Sequence, residues 1–261
     1  MLDNVAIVTG GSSGIGAEFA RQLAGRGYNL LLVSNQSEQL ATTKAAIEAE
    51  YPSVCCLTFF ADLATPSAAA DIEQFCRDNE LTVEVLINNA GIFAFKLMAE
   101  LPAEKVNLFI DLHMRAVTDL SLRFARIMAT RHRGYILNMS SMSCWMPMPG
   151  IGMYAATKAY IRVFSRTLAL ELKESGVGVT VACPGGIATD LFGLPRHLQR
   201  LGVKVGALAT PERFVRNALK RMFNRKKQYI NGFINRLAIV TVSLLPDRIR
   251  LIVKHRMLDK R

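Results

Sequence analysis

The chain has 261 residues, of which 51% are hydrophobic and 20% are charged, a composition that excludes a disordered chain and favours a packed globular protein. Its formal net charge is +11, and residues 220–261 hold 12 of the 32 basic residues but only 2 of the 21 acidic ones. A nearly neutral body with a basic tail excludes a nucleic-acid-binding face on the folded body. We therefore divide the chain into a domain at 1–219 and a basic, partly apolar extension of that domain at 220–261.

Short apolar runs alternate with longer helical segments over residues 5–183. The predicted strands cover 5–8, 29–33, 54–60, 83–87, 135–139 and 177–183, and the predicted helices cover 17–25, 38–50, 67–78, 103–131 and 153–174. Near-continuous apolar strands separated by helices are typical of a parallel sheet that is covered on both faces. We therefore predict an α/β fold, a single doubly wound Rossmann-type domain with a parallel sheet of about seven strands.

The pattern becomes less regular after residue 183. Residues 184–206 predict a loop with a short helix, and Thr210-Pro211-Glu212 predicts an N-cap that opens the next helix. A seventh strand is predicted at 228–231, followed from 233 by an apolar, basic helical segment that is broken near Pro246. The longest late apolar stretch, at 237–245, is shorter than the roughly 20 residues that span a bilayer, so no transmembrane helix is expected.

A glycine-rich turn joins the first predicted strand to the first predicted helix. It reads Thr9-Gly10-Gly11-Ser12-Ser13-Gly14-Ile15-Gly16. Glycines permit a tight turn and let backbone N–H groups approach a pyrophosphate, and a helix N-terminus attracts the anion. The turn therefore indicates a dinucleotide-binding site, against the alternative of a plain strand-to-helix connection.

Further motifs follow the glycine turn in a fixed order. They are Asn88-Asn89-Ala90-Gly91, Ser141, Tyr154-Ala155-Ala156-Thr157-Lys158 and Pro184-Gly185, with Thr189 downstream. Together with the Thr-Gly-x-x-x-Gly-Ile-Gly spacing of the turn, this set resembles the short-chain dehydrogenase/reductase family, nearest its hydroxysteroid-dehydrogenase-like and 3-ketoacyl-reductase branches. The resemblance implies an NAD(P)-dependent oxidoreductase that transfers hydride between nicotinamide and a ketone or secondary alcohol.

Tyr154 and Lys158 are predicted one turn apart on the same face of a helix. A nearby ammonium lowers the pKa of a tyrosine, ordinarily about 10, so that the phenol exchanges a proton with a carbonyl or alcohol oxygen. By resemblance, Lys158 also holds the nicotinamide ribose, and Ser141 hydrogen bonds the substrate oxygen. Ser140 and Ser143 are neighbours of Ser141, and only its spacing of 13 residues from Tyr154 favours it.

His113 stands where the family has a proton-relay asparagine, by a count of 21 residues back from Gly134. A histidine there is able to hold a water or relay a proton, and it ordinarily titrates near neutrality. The alternative is local packing or capping. The relay hypothesis predicts that His113→Asn keeps activity but alters its pH profile.

The resemblance also implies a set of cofactor-binding residues. They are Thr9, Gly10, Ser12, Ser13, Gly14, Ile15, Gly16, Ser34, Asn35, Gln36, Asp62, Leu63, Asn89, Ala90, Gly91, Tyr154, Lys158, Pro184, Gly185, Ile187 and Thr189. Residues 34–37 lack the acid that accepts from the ribose 2′-hydroxyl of NAD, so we favour NADP(H) and leave NAD(H) or dual specificity open. Asp62 resembles the adenine-contacting aspartate of the family, with helix capping as its alternative. No metal site is predicted.

The expected substrate surroundings are apolar. They comprise Cys144, Trp145, Met146, Pro147, Met148 and Pro149 before Tyr154, and Leu191, Phe192 and Leu194 in the later loop. Such walls favour an apolar ketone or alcohol, such as a keto-lipid, a fatty-acyl chain or a steroid-like molecule, over a sugar or a phosphorylated substrate. Ordinary core packing of these residues is the alternative.

The tail combines the apolar stretch at 237–245 with basic clusters on either side of it. This combination favours peripheral contact with an anionic membrane, and a helix packed over the active site or at a subunit interface is the alternative. Five cysteines without a Cys-x-x-Cys pair indicate a reducing, cytoplasmic location. We expect a homo-oligomer by resemblance, and we keep a non-catalytic NADP-binding regulator or membrane-associated protein on the same fold as the alternative function.

Overall fold

Seven parallel strands form one sheet in the computed structural model, which describes residues 2–188, 195–204 and 208–257. The strands are β1 (Leu2–Thr9), β2 (Asn29–Ser34), β3 (Cys56–Phe60), β4 (Leu81–Asn88), β5 (Gly134–Met139), β6 (Val177–Ala182) and β7 (Gln228–Tyr229). Their spatial order is β3-β2-β1-β4-β5-β6-β7, so the direction of winding reverses between β1 and β4. In open parallel sheets, ligands bind beyond the carboxyl ends of the strands at such a reversal.

The strands alternate with helices that cover both faces of the sheet. The helices are α1 (Gly14–Ala24), α2 (Ser37–Glu50), α3 (Ala68–Asp78), α4 (Ala103–Ile110), α5 (Ala116–Thr130), α6 (Gly152–Glu171), α7 (Arg196–Lys204), α8 (Pro211–Phe223), α9 (Phe233–Ser243) and α10 (Asp247–Met257). Helices α1, α2 and α8 pack on one face, and α3, α5 and α6 pack on the other. The predicted doubly wound α/β fold is confirmed.

The central strands are apolar along their whole length because both of their faces are buried. In β1, Ala6 and Val8 face the cluster under α1, whereas Val5 and Ile7 face the cluster under α5. All four side chains are fully buried. Burying a side chain of this kind stabilises a fold by about 1.5–3 kcal/mol, which explains the continuous apolar runs in the sequence.

The structure refines the predicted elements at two places and confirms a third. The single helix predicted at 103–131 is divided into α4 and α5 by a wide turn over Asp111–Arg115 with i→i+5 hydrogen bonding. Such turns insert one residue into a helix and occur frequently at functional sites. The seventh strand is two residues long instead of four. The predicted N-cap of α8 is confirmed, because the Thr210 hydroxyl accepts a hydrogen bond from the backbone N–H of Arg213.

Candidate active site

One cavity of about 610 Å³ lies beyond the carboxyl ends of β1 to β6. Nearly all the predicted site residues border it. The described residues that line it are Gly10, Ser12, Ser13, Gly14, Ile15, Gly16, Ser34, Asn35, Ala61, Asp62, Leu63, Asn89, Ala90, Gly91, Ile92, Leu108, Leu112, Met139, Ser140, Ser141, Tyr154, Lys158, Pro184, Gly185 and Ile187. The motifs that are separate in sequence therefore meet around one space.

The glycine turn at the N-terminus of α1 has the shape that a pyrophosphate requires. Gly10 and Gly14 have positive φ angles of +64° and +54°, which L side chains rarely adopt. A Cβ on Gly16 would overlap the carbonyl of Gly10, whereas the space beside Gly14 is open to 4 Å. The turn thus leaves a glycine-lined opening at the positive end of a helix, and these residues fit a dinucleotide.

Thr9 and Asn89 hold this turn against the end of β4. The Thr9 hydroxyl accepts from the backbone N–H groups of Asn89 (3.0 Å) and Ala90 (3.1 Å) and lies 3.3 Å from the Ile87 carbonyl. The Asn89 amide donates to the Thr9 carbonyl at 3.0 Å. Thr9 is buried behind the cavity, so the structure gives it a supporting position.

The far end of the cavity is polar and lacks a carboxylate beside β2. The hydroxyls of Ser12 and Ser34 lie 2.9 Å apart, and the backbone N–H of Gln36 donates to Ser34 at 3.2 Å. Asn35 lines the cavity, whereas the Gln36 side chain is exposed, outside the lining, and donates to Asn35 at 3.1 Å. Asp62 borders the cavity and accepts from the backbone N–H of Ala64 at 3.0 Å in a local turn; it caps no helix, because α3 begins at Ala68.

Ser141 and Tyr154 meet on the wall opposite the glycine turn. Tyr154 is 6% exposed, and burial raises the pKa of its phenol to about 12, against the opposing effect of a hydrogen bond with Ser141. The Ser141 hydroxyl also accepts from the backbone N–H of Ser143 at 3.2 Å. The expectation that Lys158 lowers the pKa of Tyr154 is not met in this structure, because burial of the phenol dominates.

Lys158 is buried beside Tyr154, 5.6 Å from the centre of its ring. Its ammonium donates to the Met139 carbonyl at 2.9 Å, and its own carbonyl accepts from the Ser140 hydroxyl at 2.7 Å. Burial lowers the pKa of Lys158 to about 8, because the interior disfavours the charged form. The sequence analysis missed this role of Ser140, which fixes the backbone beneath Lys158.

His113 lies behind the cavity in the wide turn between α4 and α5, and its ring is fully buried. Its Nε2 is 3.0 Å from the backbone N–H of Ile92, and its Nδ1 is 2.9 Å from the Thr157 hydroxyl. Burial, followed by the charge of Lys158, holds the pKa of His113 well below 6.5. The expectation that this residue titrates near neutrality is therefore wrong.

Some predicted residues lie elsewhere. Thr189, Leu191, Phe192 and Leu194 are outside the described residues. No residue of 144–149 lines the cavity; Cys144 and Trp145 instead pack beside Cys183, and the Arg162 guanidinium lies 4.4 Å from the Trp145 ring centre. For Cys144 and Trp145, the apolar character therefore reflects packing, the alternative that the sequence left open. The apolar lining that sequence reasoning missed consists of Ala61, Ile92, Leu108, Leu112 and Met139, of which Leu108 and Leu112 repeat at helical spacing just before His113.

The tail, unlike the cavity, has large apolar side chains that are exposed to solvent. Helix α9 and the residue that follows it expose Phe233, Ile234, Leu237, Val240 and Leu244, each by 54–78%, at spacings that place them along one side. Its other side approaches the active site, because Asn235 occupies the space where Gly185 would carry a Cβ. Within the described ranges, none of the helices has both the length and the apolar character to cross a membrane.

Comparison with known proteins relates the whole chain to one group. Residues 4–197 match the model of the short chain dehydrogenase family. A very-long-chain 3-oxoacyl-CoA reductase-B of Danio rerio is 30% identical over 250 residues, covering 94% of this chain and 76% of the relative. A very-long-chain 3-oxoacyl-CoA reductase of Pyricularia oryzae is 32% identical over 228 residues, covering 83% of this chain but only 64% of the relative.

Two solved structures share the fold over nearly their full length. A short-chain dehydrogenase from Sphingobium yanoikuyae in complex with NADPH has a TM-score of 0.78 and 29% identity, covering 95% of this chain and 94% of the other. A structure described for 7β-hydroxysteroid dehydrogenase stereoselectivity has a TM-score of 0.82 and 25% identity, covering 95% of each chain.

Proposed function

The chain belongs to the short-chain dehydrogenase family of oxidoreductases, and on that premise we propose that it reduces an apolar ketone, with NADP(H) as the favoured cofactor. One observation carries the proposal: Ser141, Tyr154 and Lys158 converge on one wall of the cavity that the glycine turn borders. The convergence of all three favours catalysis over a non-catalytic cofactor-binding regulator.

The residues of this chain divide the chemistry between them. When bound, the nicotinamide supplies hydride to the carbonyl carbon. Tyr154 is protonated at neutral pH, as an ordinary tyrosine is, and burial raises its pKa further to about 12, so it holds the proton that the carbonyl oxygen needs. In the proposed reaction, Ser141 hydrogen bonds that oxygen as charge develops on it. Burial dominates the resting pKa of Tyr154, but once the proton has left, the Lys158 ammonium, 5.6 Å from the ring centre, stabilises the phenolate.

The polar end of the cavity supports the preference for NADP(H). No carboxylate stands beside β2 to repel a 2′-phosphate, and the hydroxyls of Ser12 and Ser34 with the Asn35 amide offer hydrogen bonds to it. The relative from Sphingobium yanoikuyae was solved with NADPH. NAD(H) remains the second cofactor. The one lysine among the described lining residues, Lys158, lies beside Tyr154, and no arginine or lysine of that lining stands at the Ser34 end to make the site exclusive.

A long 3-oxoacyl thioester is the substrate class that we propose. Its support is the named activity of the two reductases reported above, together with the apolar lining by Ile92, Leu108 and Leu112. A steroid-like ketone is the second class, supported by the hydroxysteroid dehydrogenase neighbour.

The test is NADPH oxidation by the purified protein with a series of 3-oxoacyl-CoA chain lengths, a steroid ketone and a small polar ketone, repeated with NADH. We expect the specificity constant to rise with acyl length and to fall when NADH replaces NADPH. Tyr154→Phe serves as the inactive control. A protein that binds NADPH but turns over none of the apolar ketones would contradict the proposal.

We also propose that α9 rests on an anionic membrane surface, and that the protein is cytoplasmic and peripheral. The exposed side of α9 is apolar, and the exposed Arg236 and Arg248 lie in the same region of a tail with 12 basic and 2 acidic residues. Apolar and basic side chains together are what an interfacial helix on anionic lipid needs. Because the opposite side of α9 meets Gly185, a bound membrane would lie near the cavity.

Co-sedimentation with vesicles tests this contact. The full chain is expected to bind vesicles that contain phosphatidylserine and to be released by salt, with weaker binding to neutral vesicles. The double substitution of Leu237 and Val240 to serine should abolish binding. The matched control places serine at Val163 and Leu170, which are equally exposed on α6. Equal binding by both variants would contradict the assignment of α9.

We propose a homo-oligomer as well. The exposed apolar residues Val163 and Leu170 lie seven positions apart on α6 and support self-association through that helix. Light scattering on the same serine variant distinguishes this interface from the membrane surface, because only the oligomer should dissociate.

A further inference from the structure

Both ring nitrogens of His113 already have a hydrogen-bond partner within the protein. A backbone N–H is always a donor, so Nε2, 3.0 Å from the Ile92 nitrogen, must accept and carries no proton. The neutral ring then carries its proton on Nδ1 and donates it to the Thr157 hydroxyl at 2.9 Å. The Thr157 hydroxyl in turn donates to the Tyr154 carbonyl at 3.0 Å.

This chain of hydrogen bonds has one self-consistent arrangement. Protonation of Nε2 would direct a ring N–H at the N–H of Ile92 and break the bond between them. The titratable groups that approach the ring from α6 are Lys158, which raises the cost of a second positive charge, and Tyr154, whose ring is 5.9 Å away edge-on. On the same turn as His113, Asp111 and Arg115 pair with each other at 2.7 Å.

The bonded groups belong to separate parts of the site. Ile92 follows the Asn-Asn-Ala-Gly segment that borders the cavity, and Thr157 lies between Tyr154 and Lys158 in the first turns of α6. The ring fits closely, because a Cβ on Gly91 would be 3.0 Å from Nε2 and 3.5 Å from the Lys158 ammonium. A shift of the ring would therefore move the loop relative to both side chains.

We infer that His113 is a neutral positioning residue that joins the loop after β4 to the helix carrying Tyr154 and Lys158, and that it relays no proton. The wide turn at Asp111–Arg115 brings the ring to the one place from which both partners are reached. An asparagine is shorter than a histidine, so it would leave at least one of the two partners without its bond. The inference depends on the proposed reduction only for its kinetic test.

Nuclear magnetic resonance of ¹⁵N-histidine in the full-length protein tests the inference without any turnover. The chain has four histidines, and the His113 resonances are those that disappear in His113→Gln. We expect the Nδ1–H tautomer, unchanged over about pH 5 to 8, the range in which an ordinary histidine titrates. A ring that protonates in this range, or that carries its proton on Nε2, would overturn the inference even if no substrate had been found.

Kinetics on three variants then separate positioning from simple filling of space. His113→Leu keeps bulk but no hydrogen bonds, and Thr157→Val removes the other end of one bond. Each is expected to lower kcat about ten- to a hundredfold, the loss that follows from buried groups left without partners. His113→Gln, whose amide carries an acceptor and a donor on one carbon, should recover most of the activity.

The double variant and the pH profile complete the test. Because one bond joins them, His113→Leu and Thr157→Val together should cost much less than the product of their separate effects. Each variant should keep the shape of the pH profile while its height falls. A glutamine variant as impaired as the leucine one, or a pH limb that disappears with His113, would contradict the positioning role.

Discussion

The wall of the active site and helix α9 use their side chains in opposite ways. On the wall, the polar groups of Ser141, Lys158 and His113 are at least 93% buried, and each has a hydrogen-bond partner within 3.2 Å. On α9, Ile239 is buried, but the large apolar side chains of Phe233, Ile234, Leu237 and Val240 are each more than half exposed. On the functions that we propose, the buried polar groups of the wall serve the reduction, whereas the exposed apolar groups of α9 serve contact with a membrane.

The largest effect should come from the wall. Tyr154→Phe removes one hydroxyl and with it the proton donor, so kcat should fall by about 10²- to 10⁴-fold, the usual contribution of general acid–base catalysis. The fold should persist, because the ring remains in the same contacts. Activity assays check the fall in kcat, and urea unfolding on the same preparations checks that the fold persists. Residual activity above a tenth of that of the parent would contradict the role of Tyr154 as proton donor.

Lys158→Met should expose the cost of burying the ammonium. The pKa of Lys158 is about 8 in the fold and 10.5 as its ordinary value, so between these pH values the unfolded chain binds more protons. Stability from this group is therefore lowest below pH 8 and rises as pH increases towards 10.5, by up to about 3 kcal/mol.

Urea unfolding of parent and Lys158→Met at several pH values measures this slope. The parent should gain stability relative to the variant as pH rises above 8, although the variant has lost activity throughout. Parallel stability curves would mean that the pKa of Lys158 is the same in the folded and unfolded chain, as for a solvated ammonium, and would contradict its burial.

An intermediate effect is expected at α8, the last helix that packs on the body before the tail. Thr210→Ala removes the side-chain cap on the Arg213 N–H and should lower the free energy of unfolding by about 1 kcal/mol. Thr241→Ala on exposed α9 is the control, because its hydroxyl bonds only carbonyls of its own helix. Equal losses in both variants would argue that the tail is as firmly held as the body.

The smallest effect should come from α9 itself. Replacing Leu237 and Val240 by serine removes apolar groups that are already in water, so unfolding in buffer should change by less than about 0.5 kcal/mol. A loss of several kcal/mol, measured by urea unfolding without vesicles, would show that these residues pack within the protein.

The spacing of residues in the sequence predicted much of the active site, because the doubly wound fold determines where the motifs of the site stand. Tyr154 and Lys158 share a helix face, and Gly10 to Gly16 occupy the turn that every doubly wound fold places at the winding reversal. The order of strands and helices followed from the alternation of short apolar runs with longer helical segments.

The role of His113 did not follow, because its partners lie 21 and 44 residues away and meet it only after a helix is interrupted by one extra residue. The apolar residues at 144–149 were ambiguous for a related reason. A sequence records that a side chain avoids water, and it does not record whether protein or substrate covers it.

The central position of β1 has a consequence for how the protein forms during synthesis. Its neighbours are β2, one helix away, and β4, about 80 residues further along the chain. The turn at Gly10 is held by Asn89, so β1 must wait for a partner that is made much later. Such long-range pairing slows folding and leaves an apolar strand edge exposed meanwhile, which makes β1 the segment most in need of a chaperone.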